Sequence, residues 1–274
     1  MTRLNRIIGR TPFYVLTGGL ALIFLYPILW TSVSSVSPQP GSRQVDGFGW
    51  GNYRTLLEYQ DGVWHYLGNS VIISAVAVAT TLVVATLGGY AFARFRFPGK
   101  DMLFLLTLAI LMVPYATVLV PLVIWLKALG LNDTLVGVGL VLAVFQLPFA
   151  TFMMRIAFEA VPREMEEAAL VDGCGTFSAL CRVLLHVVKP GLITIGLFAF
   201  LAAWNDFMVP LYLVSGDNQP LPLALVNMRQ QVMGVIDYGA TQAGVVVLTV
   251  PCVVLFLVLQ RHYVNGFMSG ALKG

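Results

Sequence analysis

Few residues in this chain of 274 are equipped for chemistry, and they gather in two places. The first is an acidic stretch, Glu164, Glu166, Glu167 and Asp172, set among small residues Ala168, Ala169 and Gly173. The second is Trp204-Asn205-Asp206, in which Asp206 is the only acidic residue that falls within a long apolar run. A carboxylate at membrane depth costs roughly 2.5–3.5 kcal/mol at a helix centre, so it turns toward protein or water. Two readings of the second group stay open: a polar patch on a solute pathway with Trp204 as a stacking ring, or an interhelical hydrogen-bonded pair that holds the fold. Gln146, in another apolar run, is a weaker candidate of the same kind. Cys174, Cys181 and Cys252 lack zinc-ligand spacing with a histidine, which leaves no metal site and no cofactor to expect. No phosphate-binding G-x-x-x-x-G-K-[ST] motif occurs, so the chain is not expected to bind ATP or to carry catalytic residues.

The elements that position these residues are apolar helices. The chain is 58% hydrophobic and 11% charged, with a mean hydropathy of +0.83. Soluble domains carry about 25% charged residues, and a water-soluble fold this poor in charge would expose large apolar patches. The net charge of +3 is too small to indicate nucleic acid as a partner. About 20 apolar residues cross a bilayer as a helix, and six segments qualify: about 12–36, 69–93, 102–126, 135–157, 191–214 and 240–260. Only helices and closed barrels satisfy their backbone in lipid, and continuous runs without alternation exclude the barrel. The expectation is an all-α membrane protein with a single transmembrane domain over 1–274. The first apolar run is too long for a cleavable signal segment and reads as a retained helix.

Basic residues orient the spans. With the N-terminus inside, twelve basic residues lie inside and four, Arg43, Arg54, Lys127 and Arg229, lie outside. Both termini and the loop 158–190 are therefore expected in the cytoplasm. The outer loop 37–68 carries Phe48, Trp50, Tyr53, Tyr59 and Trp64, which suit either a headgroup belt or a docked partner. The second outer loop, 215–239, is rich in polar residues.

The loop 158–190 is too polar to span and too patterned for a linker. Pro162 is suited to a first helical position, the glutamates to a first turn, and Gly173 to a left-handed C-terminal cap. Thr176 can N-cap a second helix whose Leu180, Val183, Leu184 and Val187 share one face. Such a loop is either a passive interfacial connector or a docking element. Its acidity disfavours an anionic lipid surface and tilts the balance toward a protein partner.

Glu167-Ala168-Ala169, Asp172-Gly173, Leu185 and Pro190 resemble the EAA loop of ABC-importer permeases. Asn69-Ser70, the run Gly89 to Arg94, Trp204-Asn205-Asp206-Phe207 and the closing Leu272-Lys273-Gly274 extend the likeness to the smaller permease subunit of carbohydrate importers, over nearly the whole chain. The resemblance implies a type I importer permease fold in a bacterial plasma membrane. It implies a second homologous permease subunit, two cytoplasmic ATP-binding subunits, an extracytoplasmic solute-binding protein and a sugar-like substrate. Glu167, Ala168, Ala169, Asp172 and Gly173 would form the coupling helix and its turn, and the tail 265–274 would make a second contact with the ATPases. Cys174 stands where the family usually has alanine, and His186 where it usually has proline, which implies a longer second helix. Two rivals are weighed against this reading. An ion-coupled transporter would want several buried carboxylates. A membrane scaffold would dock a partner without transport.

Overall fold

The computed structural model describes residues 3–231 and 236–271; the side chains of 3–12, 229–231 and 261–271 lie outside the described set. Its regular elements among these residues are helices. In chain order they are α1 (Arg3–Ser35), α2 (Gly51–Leu57), α3 (Val63–Arg94), α4 (Lys100–Met112), α5 (Tyr115–Ala128), α6 (Leu135–Glu159), α7 (Arg163–Val171), α8 (Thr176–Val187), α9 (Lys189–Asn205), α10 (Met208–Leu213), α11 (Leu221–Gln231) and α12 (Tyr238–Ala271).

Four helices contain uninterrupted apolar stretches long enough to cross a membrane: Phe13–Ser35, Val63–Arg94, Leu135–Glu159 and Tyr238–Gln260. Their outer faces show the apolar side chains that lipid would cover, with Phe24 at 75% and Leu22 at 68% exposure. The two remaining expected spans are not straight helices. Expected span 102–126 is the pair α4 and α5, bent by 105° where Val113 turns extended ahead of Pro114. Proline disfavours the helical conformation of the residue before it and supplies no N–H, so the break falls where the sequence puts Val-Pro. Expected span 191–214 ends as helix at Asn205, with Asp206 extended at ψ 131° before the short α10. Proline also lies inside α1 (Pro12, Pro27), α6 (Pro148) and α12 (Pro251), whereas α3 runs for 32 residues with none.

The chain divides into two compact units. One comprises Met1–Val63 and Leu225–Thr249. Within it the segment after α1 is tied by buried amides. Asn52, 1% exposed, donates to the carbonyls of Ser35 and Ser37 at 3.0 Å each. Gln44 donates to Val36 O at 2.9 Å and Gly47 O at 2.7 Å. Val45, Phe48 and Trp50 remain at least 74% exposed on that frame.

The other unit, Trp64–Ala224 with Val250–Gly274, holds two apolar cores. One packs Ile73 and Ala77 of α3 with Leu119, Val138, Leu142 and Val209. The second packs Ala85 and Tyr90 of α3 with Met154, Phe158, Leu180, Leu184 and Val188. A Cβ built on Gly89 would lie 2.5 Å from Met154 Cβ, so α3 and α6 approach as closely as they do only because that position has no side chain. The region 215–239, expected as a polar loop, instead forms α11 in part. Leu221, Leu223, Ala224 and Met228 of that helix are buried, because Leu-Pro-Leu-Ala-Leu-Val is an apolar run too short to register as a span.

Candidate functional site

The loop 158–190 folds as the short helix α7, a sharp turn and the helix α8. Pro162 is the N-cap (ψ 138°) and Arg163 the first helical residue, one position later than expected. Glu164 and Glu166 occupy the first turn, where the exposed N–H groups and the helix dipole favour negative charge. Gly173 has φ +86° and closes a Schellman cap, with Cys174 N–H to Ala169 O at 3.0 Å and Gly173 N–H to Leu170 O at 3.1 Å. Glycine is needed there because an L side chain disfavours that backbone.

The adjacent glutamates Glu166 and Glu167 differ in burial. Glu166 turns inward: its Oε2 lies 3.1 Å from Arg94 Nε in an ion pair with both side chains largely buried, 12% and 6% exposed. The Nε contact is charge attraction without hydrogen-bond alignment. The Tyr90 hydroxyl donates to Glu166 Oε1, and Arg94 Nη2 donates to Val161 O at 2.9 Å. The Tyr90 ring packs edge-on against Phe158 at 5.4 Å. The last turn of α3 thus holds α7 from behind. Ala169, one turn on from Glu166, is buried at 7%. Glu167 and Ala168 are exposed, as are Asp172, Gly173 and Val171, the last at 87%.

In α8, Gly175 is the N-cap and Thr176 the first helical residue, again a shift of one. The expected apolar face holds at Leu180 and Leu184 but not at Val187, which is 42% exposed; Val188 is buried instead. The cause is a π-helical turn over Leu180–Leu184, whose wider i→i+5 winding advances the buried register. His186 is exposed, and α8 meets α9 at a bend of 81°.

The second candidate group is spent on local structure. Asp206 Oδ1, one residue ahead of the N-cap Phe207, accepts from Val209 N–H in the first turn of α10 at 2.8 Å. Asn205 donates to Leu201 O at 2.8 Å and reaches Cys252 Sγ at 3.8 Å, an interhelical contact. Trp204 is 3% exposed and stacks on Phe200 at 5.3 Å, which makes it a packing residue rather than an accessible ring. Gln146 is half-buried on α6.

The sequence reading missed a second polar junction, at the other end of α3. Asn69 Nδ2 donates to the carbonyls of Asp217 at 2.7 Å and Gln219 at 2.9 Å. His65 Nε2 lies 2.6 Å from the same Asp217 carbonyl and donates to it, and Ser70 Oγ accepts from Leu221 N–H at 2.9 Å. From the opposite side Asp133, at φ +56°, accepts from Ser215 N–H at 2.8 Å and Ser215 Oγ at 3.0 Å. The Ser215 amide, and after it the hydroxyl, hold the Asp133 carboxyl below its ordinary value against partial burial. The signal was present as His65, Asn69 and Ser70 at adjacent helical positions. Tyr90 and Arg94 were likewise visible four apart at the close of the span, with no role assigned to them.

Residues 85–267 match the family described as "Binding-protein-dependent transport system inner membrane component". The diacetylchitobiose uptake system permease protein DasC of Streptomyces coelicolor is 35% identical over 226 residues, covering 81% of this chain and 80% of that protein. The trehalose transport system permease protein SugB of Mycobacterium tuberculosis is 33% identical over 257 residues, covering 91% of this chain and 93% of that protein. Among solved structures, a chain of a bacterial ABC transporter involved in the import of the acidic polysaccharide alginate superimposes with a TM-score of 0.78 at 24% identity, covering 96% of this chain and 99% of that one. At that identity the likeness concerns the fold.

Proposed function

The chain belongs to the family of binding-protein-dependent transport system inner membrane components, and from that premise we propose that it carries a sugar across the bacterial plasma membrane by coupling α7 to a cytoplasmic ATPase. It is a multi-pass permease subunit and not a catalytic enzyme. Its whole length acts as one permease domain with both termini and the loop 158–190 in the cytoplasm, the orientation that the basic residues favour.

The observation that carries the reading is the difference between two adjacent glutamates, one buried in an ion pair and one exposed. Glu166 is anchored to Arg94, which ties α7 to the end of α3, while Glu167, Ala168 and the Asp172-Gly173 turn are exposed. A small exposed helix with alanine at its contact face can seat in a cleft of a second protein. A homologous permease subunit completes the pathway, two ATP-binding subunits each hold one such helix, and an external solute-binding protein delivers the sugar. ATP binding draws the two helices together and opens the bundle outward; hydrolysis resets it. Trp204, Asn205, Asp206 and Gln146 act near the pathway by holding α9, α10 and α6 in shape. A neutral oligosaccharide is favoured over a phosphorylated solute, because no Lys or Arg lies deep in a span.

The test is co-expression with the partner subunits, comparing wild type with Glu167→Ala and Gly173→Val by pull-down of the ATPase and ATP-dependent sugar uptake. Loss of ATPase association with membrane insertion intact is expected. Unchanged association and uptake would overturn the coupling role.

A further inference from the structure

α4 buries one side chain. Among the described residues Lys100–Met112, Phe104 alone is buried, while Met102, Leu105, Leu106 and Met112 are each more than half exposed. The Phe104 ring sits in a socket built by two other helices. Phe92, in the last turn of α3, meets it edge-on with ring centroids 5.2 Å apart. Phe152 of α6 stacks on it at 6.4 Å. The guanidinium carbon of Arg155, also on α6, lies 4.2 Å from the ring centroid, and Arg155 Nε is held by Glu159 Oε1 at 2.7 Å. Ring pairs at about 4.5–7 Å and a cation within about 6 Å of a ring face are attractions with a preferred geometry. An aliphatic side chain in the same space would fill it without fixing an angle.

The two ends of α4 are held differently. At its start, the turn Phe95–Gly99 brings the chain from α3, with Gly99 at φ +76° and Lys100 Nζ donating to Phe95 O at 3.2 Å. At its far end no residue of Ile110–Val113 is buried, and the chain bends by 105° into α5. The socket lies at the start. Phe92 stands between Tyr90 and Arg94, the two residues that hold Glu166 of α7. The end of α3 therefore grips α7 through Tyr90 and Arg94 and α4 through Phe92.

We propose that Phe104 is the positioning residue that makes α4, and with it the bend at Val113-Pro114, follow a displacement of α7. Arg155 serves the same end by fixing the angle of the ring. The proposal rests on the coupling role of α7 and says where its movement enters the broken span: from Glu166 to Arg94, along the end of α3 to Phe92, and across the ring contact to Phe104. The turn at Gly99 joins the same two helices, but a connection through a glycine backbone leaves their angle open. The socket closes that freedom.

The experiment uses the complete transporter in nanodiscs, with Cys174, Cys181 and Cys252 replaced by alanine and nitroxide labels at Val84→Cys on α3 and Met112→Cys at the far end of α4. Double electron–electron resonance reads the distance between the labels without nucleotide and with ATP plus vanadate. The parent is expected to keep one narrow distance in both states, because α4 follows α3. Phe104→Leu, apolar but without a ring, should match the parent without nucleotide and depart from it only with ATP. Its uptake per ATP hydrolysed, of the sugar that wild type accumulates, should fall about fivefold with ATPase association unchanged. Phe104→Tyr and Arg155→Lys, which restore the ring and the cation, should behave as the parent. A Phe104→Leu distance that tracks the parent in both states would overturn the proposal, as would a parent distance that itself changes with ATP. A Phe104→Leu distance already altered without nucleotide would overturn it too, by making the ring a packing residue only. Failure of the coupling role shows separately, as ATPase association and uptake unchanged in Glu167→Ala.

Discussion

The two ends of α3 are fastened by different chemistry. At the end near Arg94, two oppositely charged side chains meet in a buried site and a tyrosine hydroxyl completes the set. At the end near Asn69, the amide of that residue grips main-chain carbonyls of residues 217 and 219. The first arrangement depends on the identity of both partners: a change to either leaves the other charge buried. The second depends on identity on one side only, because every residue of the gripped segment offers the same carbonyl. A side-chain pair ties two positions of the sequence together, whereas the grip on the carbonyls of residues 217 and 219 does not depend on their side chains.

The sharpest way to break the comparison is Glu166→Ala. It strands Arg94 in a site where its side chain is 6% exposed, and removal of one partner from a buried pair costs about 3–5 kcal/mol. A large fall in the thermal midpoint of the purified protein is expected, with substantial recovery in Arg94→Met/Glu166→Leu, where no charge is left unpaired. Equal losses in the single and double variants would show that the pair is not a unit. Asn69→Ala should come next, at about 1–3 kcal/mol for two carbonyls left without their donor. Faster hydrogen exchange of the segment 215–221, with the α7 end unchanged, is its expected signature.

Asp133→Asn sharpens the contrast further, with an expected cost of under about 1 kcal/mol for a partly solvated contact. The Asp133 carboxyl is held below its ordinary value in the folded protein, so its contribution is present above the unfolded carboxylate range and is lost as pH falls through the lowered folded value. Exchange protection at Ser215 should therefore weaken only below about pH 4 in wild type and show no such acid step in Asp133→Asn. The smallest change in stability, within about 0.5 kcal/mol, is expected for Glu167→Gln on an exposed face. That variant should nonetheless lose ATP-driven uptake, and a midpoint shift as large as that of Glu166→Ala would mean the two glutamates do not differ in burial.

Much of this was legible before any coordinates. The apolar runs located the four long helices, and the Glu-Ala-Ala…Gly pattern located α7 and its turn, with Gly173 in the left-handed conformation its place required. The bend inside 102–126 was written in Val113-Pro114 but was hidden by a hydropathy average that continues across it. The different roles of Glu166 and Glu167 were not legible, because neighbours in sequence sit about 100° apart on a helix and the buried side is set by Arg94, 72 positions away. The register of α8 failed at Val187 for a related reason. A 3.6-residue period cannot anticipate a π turn, which is selected by packing. For Asn205 and Asp206 the sequence left two readings open, a pathway patch or a hydrogen-bonded pair that holds the fold, and polarity within an apolar run cannot say where the hydrogen bonds go: here to Leu201, Cys252 and the first turn of α10.

The absence of proline from α3 gives that helix the mechanics of a lever. Between Asn69 and Arg94 it is about 37 Å long at 1.5 Å per residue. A beam that does not flex turns angle into distance: a tilt of about 10° at one end sweeps the other through about 6 Å. The stroke is set by the length of the arm, and a proline introduced midway, at Ala79 for example, would let the beam fold and shorten it.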